Sequence, residues 1–341
     1  MSCSIDIHKS ATITGPIKRL GLGVFDGYHL GHQAIGKQAD ALLTFHPHPA
    51  IVLQKKSDLK YLSTPDELRA LYPNLLSLTF NEALSKLDPE DFLNTVIMSN
   101  IRPEELVVGH DFRFGYKGKG TASLLKDWGL SCGIQVHVVD EVSYQGRAVH
   151  SSLIRDELQH GDVNVAIALL GHPYLIQAPV IKGEQRGTAL GFPTANLDIS
   201  PSKCLPKPGV YKGRVELPGN THKAMIYIGS KPTFQGKLPS VEVHLLEFNA
   251  DLYGQRLSVH ISKRLRDEQS FESKEALIKQ LYSPVRWTET VEYFAANGIE
   301  KAVEVGPGKV LQGLVKRISK AVACTSANDE ASLTSAIELV K

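Results

Sequence analysis

The sequence predicts an α/β domain, then a small antiparallel β-barrel, then a short α/β tail. In residues 1–160, apolar runs of strand length alternate with helical patterns, which favours a parallel sheet with helices on both faces. In residues 161–282, short apolar runs follow one another through Gly, Pro and Asn turns, a pattern typical of a small barrel. Residues 283–341 return to alternating helical and strand patterns.

Composition and charge indicate an ordinary globular protein. The 341 residues are 42% hydrophobic and 22% charged, which is ordinary for a soluble globular chain. A formal net charge of +2 indicates no broad surface for nucleic acid or membranes. The four cysteines lack CxxC spacing, and the N-terminus lacks the apolar core of a signal peptide. We therefore expect a cytoplasmic protein with reduced thiols, and the oligomeric state stays open.

The alternating pattern gives an expectation for each element of the first domain. A further helix is expected to run from the serine pair at 151 and 152 towards residue 170. The expected strands are 17–22, 41–45, 75–79, 106–109 and 134–139, and the expected helices are 33–42, 65–72, 89–100 and 121–128.

A ten-residue stretch, Gly23-Val-Phe-Asp-Gly-Tyr-His-Leu-Gly-His32, lies where the first predicted strand turns into a helix. Its glycines leave room for a ligand near the backbone, and a helix N-terminus favours an anion. His29 and His32 are therefore candidate contacts for phosphate. The alternative is a plain strand–turn–helix with surface histidines.

Three further segments belong with this turn. Thr44-Phe-His-Pro-His-Pro49 and Gly109-His-Asp-Phe-Arg-Phe-Gly115 follow predicted strands, and ligands of such folds bind beyond the carboxyl ends of the strands. Ser151-Ser-Leu-Ile-Arg155 opens a helix with a cation in its first turn, which is mildly unfavourable for the helix dipole. Arg155 therefore suggests a phosphate partner, and the alternative is a solvated arginine.

The motifs GVFDGYHLGH, TFHPHP, GHDFRFG and SSLIR follow the order found in the bacterial bifunctional riboflavin kinase/FAD synthetase family. The resemblance implies a nucleotidyltransferase-like, Rossmann-like domain with FMN adenylyltransferase activity. It implies that His29 and His32 contact ATP phosphates and that Asp111 and Arg113 lie near the flavin nucleotide. The other residues that the resemblance assigns to nucleotide binding here are Gly23, Phe25, Asp26, Gly27, Ser151, Ser152 and Arg155.

Two features depart from the family pattern in this domain. The segment between His32 and Thr44 is shorter than usual, so the first helix is expected to be clipped. His150 stands where a serine is more usual. The clipped helix makes the efficiency of adenylyl transfer a question for experiment.

The centre of the predicted barrel is Phe192-Pro-Thr-Ala-Asn196. Thr194 and Asn196 are two residues apart and share one side of an extended segment, where their oxygens would suit Mg²⁺. The alternative is that both residues are ordinary turn formers. The strands expected around this segment are 174–181, 209–217, 222–228, 240–248 and 255–261, followed by a helix at 273–281.

Together with PGVY, IGSKPTF and SVEVHLLEF, this segment resembles a riboflavin kinase domain. The resemblance implies that Thr194 and Asn196 hold Mg²⁺ and nucleotide phosphates, and that Glu242 is the base for the ribityl hydroxyl. Independently, Glu242 alternates with apolar neighbours in a strand and so faces away from them; the alternative is a solvent-facing carboxylate. The resemblance also assigns nucleotide binding to Gly183 and Gly187. This sequence differs from the family pattern at Tyr227, where Asn is usual.

The tail is similar to the C-terminal segment of malonyl-CoA:acyl-carrier-protein transacylase, in SPVRW and EVGPGKVL. That enzyme needs a serine on a Gly-x-Ser-x-Gly turn, and this sequence has none. We therefore expect no transacylase activity. The tail is expected to form helices at 285–296, 309–319 and 330–340, and strands at 302–305 and 321–325.

The predicted function is FAD biosynthesis in two steps, with ATP as co-substrate and Mg²⁺ as cofactor. Riboflavin would be phosphorylated to FMN, and FMN would be adenylylated to FAD with release of pyrophosphate. Two alternatives stay open: a riboflavin kinase with an impaired adenylyltransferase domain, and a non-catalytic flavin or acyl-carrier interaction protein.

Overall fold

The computed structural model describes residues 5–56, 58–183, 193–233, 236–268, 287–305, 310–327, 332–334 and 336–337. The chain divides into two compact units, Met1–Gln269 and Ser270–Lys341. The first unit contains an α/β sheet and a barrel, and the second contains the tail. The expected fold class is confirmed.

A six-stranded sheet forms the first part of the larger unit, with strand order β1-β4-β3-β2-β5-β8. Strand β1 pairs antiparallel with β4, and the other neighbours pair in parallel. The sheet is therefore mixed at one edge. The strands described before residue 150 are β1 (Ile7–Lys9), β2 (Arg19–Leu22), β3 (Ala41–His46), β4 (Leu75–Thr79), β5 (Glu105–Gly109), β6 (Arg113–Phe114), β7 (Gly120–Thr121), β8 (Gln135–Val139), β9 (Ser143–Tyr144) and β10 (Arg147–Ala148).

Two of the expected helices differ clearly from the structure, and two short helices, Pro49–Val52 and Glu82–Ser85, were not expected. The first expected helix begins at Leu30 and ends at Gly36, not at 33–42, because β3 already begins at Ala41. The helix expected to reach residue 170 is two helices, because Gly161 ends the first in a left-handed conformation. The helices of this unit are α1 (Leu30–Gly36), α2 (Pro49–Val52), α3 (Pro65–Leu71), α4 (Glu82–Ser85), α5 (Pro89–Asp91) continued by a π-helix (Phe92–Met98), a 3₁₀ turn (Tyr116–Gly118), α6 (Ala122–Cys132), α7 (Ser151–His160) and α8 (Val163–Leu170).

Helices cover both faces of the sheet. Leu43 of β3 belongs to one buried cluster with Phe92 and with Leu125 of α6. Its neighbour Leu42 belongs to another cluster with Ile35 of α1. Successive strand residues face opposite sides, so the near-continuous apolar run in β3 reflects burial on both faces.

A closed barrel completes the larger unit, with strand order β11-β12-β15-β14-β13-β16 and antiparallel pairing throughout. The short strand β12 was not expected, and β15 begins and ends earlier than predicted. The helix expected at 273–281 lies outside the described residues. The barrel strands are β11 (Tyr174–Ile181), β12 (Ala195–Leu197), β13 (Gly209–Leu217), β14 (Asn220–Thr233), β15 (Gly236–Leu245) and β16 (Arg256–Asp267).

The barrel core continues into the neighbouring helices. Ile154 and Leu158 of α7 and Leu170 of α8 belong to the same buried cluster as the barrel residues Val241 and Val243. Leu62, from the segment before α3, belongs to this cluster as well. The sheet domain and the barrel therefore share buried apolar surface.

The tail unit has a core of its own. Strands β17 (Lys301–Val305) and β18 (Ala323–Ala327) pair in parallel, and helices span Trp287–Ala296 and Val310–Ile318. Val291, Val315, Val322 and Cys324 form its buried cluster. Of the last expected helix, residues 332–334 and 336–337 are described and are helical. Within the described parts of the chain, no helix combines the length and apolarity needed to cross a membrane.

Candidate active sites

The turn between β2 and α1 has an unusual backbone. Phe25 and Tyr28 have φ angles of 57° and 39°, and Gly27 has a φ of 85°. Non-glycine residues adopt this left-handed region at a cost, which surrounding structure must offset. Phe25 is fully buried, and a Cβ added to Gly27 would lie 2.8 Å from Cδ1 of Leu62. The turn is therefore held in place by its packing.

His29 and His32 lie together at the start of α1. Their rings stack with centroids 3.6 Å apart, and Phe25 contacts His32 edge-on at 5.3 Å. The backbone N–H of His32 donates to Nδ1 of His29 over 3.4 Å, which leaves Nε2 of a neutral His29 as its proton-bearing nitrogen. Nδ1 of His32 is buried and has no hydrogen-bond partner among the described residues.

Burial keeps both imidazoles neutral. It lowers the pKa of His29 to about 3, with smaller contributions from the nearby His150, Arg155 and His172. Burial and the neighbouring His29 hold the pKa of His32 well below its usual value. At neutral pH both rings are therefore neutral hydrogen-bonding groups.

Asp26 fastens this turn to two other parts of the unit. Its side chain is 4% exposed, and one carboxylate oxygen pairs with Nη2 of Arg155 in α7. Its Oδ1 accepts from the backbone N–H of Ser63 at 2.9 Å, and its carbonyl accepts from Oγ of Ser151 at 2.9 Å. Burial raises the pKa of Asp26, and the Arg155 charge and the Ser63 N–H oppose that rise.

Helix α7 begins at Ser151, with His150 as its N-cap residue. Ser151 and Ser152 are therefore the first two helical residues; Ser151 is bound to Asp26, and Ser152 is exposed. Arg155 also donates from Nε to the carbonyl of Lys60 at 2.8 Å. Its guanidinium thus contacts protein acceptors at the base of the turn.

A cavity of about 730 Å³ joins the histidine turn to the loop around Asp111 and Arg113. Its lining is rich in phenylalanine, and four cations surround it. Aromatic walls suit a planar ring system and the cations suit an anion. The phenylalanines are Phe25, Phe45, Phe80, Phe92, Phe112 and Phe114, and the cations are Lys55, Lys86, Arg113 and Lys117.

A second cavity of about 200 Å³ lies at the same histidines. It shares His32, Ile35, Gly109 and Asp111 with the larger cavity. The two cavities therefore meet at His32. The residues that line the smaller one alone include Gly31, His110, Asp140, Glu141, His150 and Ser151, together with His29.

The barrel holds the second group of predicted residues. Oγ1 of Thr194 donates to Oε2 of Glu242 at 3.2 Å, and Glu242 in β15 lies opposite Asn196 in β12. Val241 and Val243 are buried in the barrel while Glu242 is half-buried, so the predicted alternation is confirmed. Thr194 also lines a cavity of about 330 Å³ with Phe248 and Tyr253.

Two more predicted residues border this site. A Cβ added to Gly183 would lie 2.1 Å from Nδ2 of Asn196, so only glycine fits there without displacing that amide. Tyr227 of β14 lies opposite Glu242, and its hydroxyl donates to Glu268. Burial and Glu268 raise the pKa of Tyr227. Gly187 lies outside the described residues.

Comparisons with known proteins identify the family of this chain. A family model described as FAD synthetase matches residues 17–153, and one described as riboflavin kinase matches residues 170–291. A bifunctional riboflavin kinase/FMN adenylyltransferase from Bacillus subtilis is 36% identical over 81% of this chain and 92% of its own length. The chain belongs to the bifunctional riboflavin kinase/FMN adenylyltransferase family.

Other known proteins are also similar to this chain. The bifunctional riboflavin kinase/FMN adenylyltransferase of Escherichia coli K12 is 31% identical over 77% of this chain and 88% of its own. A crystal structure described as a macrolide-efflux protein from Streptococcus pneumoniae is 29% identical, with a TM-score of 0.71, over 81% of this chain and 95% of that one. The predicted family is thus confirmed, together with the two activities that name it.

The sequence did not indicate several features of the FMN adenylyltransferase domain. The lysines at 55, 86 and 117 line the larger cavity, and their spacing gave no signal. The phenylalanines of TFHPHP and DFRFG belong to recognised motifs, but the sequence did not indicate that they line a cavity. Asp26 was expected to bind nucleotide, and the structure shows it bound to Arg155, Ser63 and Ser151.

Proposed function

We propose that the chain makes FAD from riboflavin at two separate sites within Met1–Gln269. Adenylyl transfer takes place where the two cavities of the sheet domain meet, and phosphorylation takes place beside Thr194 and Glu242 in the barrel. The observation that carries the first assignment is that both cavities share His32.

In adenylyl transfer, FMN occupies the larger cavity and ATP the smaller one. The isoalloxazine ring packs against the phenylalanines, and the FMN phosphate reaches the boundary at His32. There a phosphate oxygen attacks the α-phosphorus of ATP and pyrophosphate leaves. The protein supplies in-line positioning and charge neutralisation, which is what such transfers require.

The neutral histidines fit this role. Nε2–H of His29 is available as a donor because its Nδ1 already accepts from the backbone. A phosphate arriving beside two buried imidazoles would also raise their pKa values, because a nearby negative charge favours the protonated form. Binding of ATP would thereby strengthen the contacts that stabilise the departing pyrophosphate.

In the barrel, Glu242 acts as the base for the ribityl hydroxyl of riboflavin. The Thr194 hydroxyl donates to this carboxylate and fixes its orientation. Thr194 and Asn196 offer hydroxyl and amide oxygens, the hard ligands that Mg²⁺ prefers. Because Gly183 has no side chain, the Asn196 amide has room beside it. These residues would hold Mg²⁺, which supplies charge neutralisation of the ATP phosphates.

Incubation of the protein with riboflavin and MgATP, followed by chromatography, tests the whole proposal. Formation of FAD is expected. FMN alone would favour a riboflavin kinase with an impaired adenylyltransferase, for which the seven-residue helix α1 is the structural argument. Neither product would favour a non-catalytic flavin or acyl-carrier interaction protein.

A further inference from the structure

Lys203, in the barrel domain, is buried against the sheet domain. Its side chain is 2% exposed, and Nζ pairs at 2.7 Å with Oε2 of Glu67, which is 1% exposed. Nζ also donates to the carbonyls of Leu62 at 2.6 Å and Leu175 at 2.8 Å, and it lies 4.4 Å from the ring centroid of Tyr174. All three donors of the ammonium are thus used.

Glu67 is held as firmly as its partner. It belongs to a capping box at the start of α3, where Oε2 accepts from the backbone N–H of Thr64 at 2.8 Å. Its Oε1 accepts from the backbone N–H of Gln177 in β11 at 2.8 Å. A buried ion pair with satisfied hydrogen bonds gives less net stability than its contacts suggest, and its best-attested use is to fix one arrangement.

One peptide group connects this pair to the histidine turn. The carbonyl of Leu62 accepts from Lys203, and the N–H of Ser63 donates to Oδ1 of Asp26 at 2.9 Å. The Leu62 carbonyl and the Ser63 N–H belong to the same planar peptide unit. Lys203 therefore fixes the orientation of the donor that holds Asp26, and hydrogen bonds in such a chain strengthen one another.

We propose that Lys203 is a positioning residue for adenylyl transfer, although it lies in the kinase domain. It acts through the Leu62–Ser63 peptide on Asp26, and thereby on His29 and His32. The proposal rests on the proposed function, because it takes the histidine turn as the adenylyl-transfer site. It implies that the barrel completes the other domain's active site.

The main test uses the double variant Lys203→Met/Glu67→Gln, which removes both charges and leaves side chains of similar length. Both activities are measured on the same enzyme solution, so that loss of folded protein changes both equally. We expect kcat for FAD formation from FMN to fall at least tenfold, with the KM for FMN changed less than threefold. Both kinetic constants for riboflavin phosphorylation should change less than threefold.

Two control variants separate this effect from general weakening of the junction. Glu67→Gln alone leaves the Lys203 amine, charged or neutral, able to donate to the Leu62 carbonyl, and it should retain the wild-type ratio of the two activities. Arg256→Met removes the exposed ion pair with Asp66, whose closest atoms are 2.8 Å apart, and does not touch the Leu62–Ser63 peptide. It should also keep the wild-type ratio.

A measurement independent of activity completes the test. Hydrogen exchange of the Ser63 amide should be faster in the double variant than in either control. An unchanged activity ratio or an unchanged Ser63 exchange rate in the double variant would overturn the role of Lys203. Failure of the wild-type protein to make FAD would instead remove the proposed function on which this role rests.

Discussion

Asp26 and Arg155 lie 129 residues apart in the sequence and form a buried ion pair. The pair fastens the histidine turn to helix α7. The sequence predicted that Arg155 contacts phosphate. In the structure its guanidinium contacts the carboxylate of Asp26 and the carbonyl of Lys60. A phosphate contact by Arg155 stays a prediction, and its contact with Asp26 explains a cation in the first turn of a helix.

The substitution Asp26→Asn should destabilise the protein. It leaves the Arg155 guanidinium buried without its charge partner, which typically costs about 3–5 kcal/mol. Urea denaturation at pH 7.5 should show a lower midpoint with an unchanged slope. Asp66→Asn, which removes a carboxylate paired at the surface with Arg256, is the matched control and should cost less than about 1 kcal/mol. Equal losses in the two variants would contradict the role given to the buried pair.

The substitution His32→Ala should impair only FAD formation. Loss of one hydrogen bond to a charged group costs about 1.5–3 kcal/mol, or roughly tenfold to 150-fold in rate. The rate of FAD formation from FMN should fall by this factor, and riboflavin phosphorylation should stay near wild type. His137→Ala, which changes a histidine 2.7 Å from Glu105 on a neighbouring strand, should leave both rates near wild type. Normal FAD production by a His29→Ala/His32→Ala variant would refute the role of the turn.

The low pKa of His29 predicts loss of stability in acid. Its pKa is about 3 in the folded protein against 6.5 as the reference value, so between these pH values the unfolded chain binds a proton that the folded chain does not. Stability therefore falls as pH drops below 6.5, by about 2 kcal/mol at pH 5 from this residue. His29→Asn keeps an N-cap acceptor and should lose less stability between pH 7.5 and 5. Denaturant unfolding at both pH values measures this; parallel losses in the variant and wild type would argue against it.

The substitution Glu242→Gln should impair only FMN formation. Removal of a general base typically lowers the rate by about 10²-fold or more. FAD formation from supplied FMN should hardly change, because that step belongs to the other site. Thr194→Ser keeps the hydroxyl that donates to Glu242 and should retain most kinase activity. If a folded Glu242→Gln protein lost both activities, the assignment of separate sites would fail.

The tail unit is expected to contribute no flavin chemistry. The substitution Val315→Asp places a carboxylate in its buried cluster with Val291, Val322 and Cys324, and burying an isolated carboxylate is strongly unfavourable. Amide exchange should become fast in β17 and β18 and stay slow in β3 and β5. Both kinetic activities should remain near wild type. A parallel loss of flavin activity, or malonyl transfer from coenzyme A by the intact protein, would overturn this expectation.

Local patterns predicted much of the fold. Strands β4, β11 and β13 have the expected boundaries, because apolar runs between turn residues determine them. The edge strand β1 was missed since its residues Ile-His-Lys are mostly polar. Strand β12 was missed because its three residues lie in a segment that resembles a turn.

The candidate sites were predictable only where residues are neighbours in the chain. The stacking of His29 on His32 follows from their spacing of three residues. The contacts of Asp26 with Arg155 and of Glu67 with Lys203 span 129 and 136 residues, and no periodicity encodes them. The sequence indicated which side chains belong to each site. The contacts that hold those side chains in position depend on tertiary packing.

The peptide group between Leu62 and Ser63 also bears on how the protein is made. Its carbonyl is bound by an ammonium 141 residues later in the chain. Synthesis proceeds at about 5–20 residues per second, so roughly 7–28 seconds separate the synthesis of the two partners. During that interval the nascent sheet can form from its own strands, whereas the histidine turn still lacks the lysine that orients its support. The adenylyltransferase domain precedes the kinase domain in the chain. Its histidine turn can therefore be fully supported only after the part of the kinase domain that contains Lys203 has been synthesised.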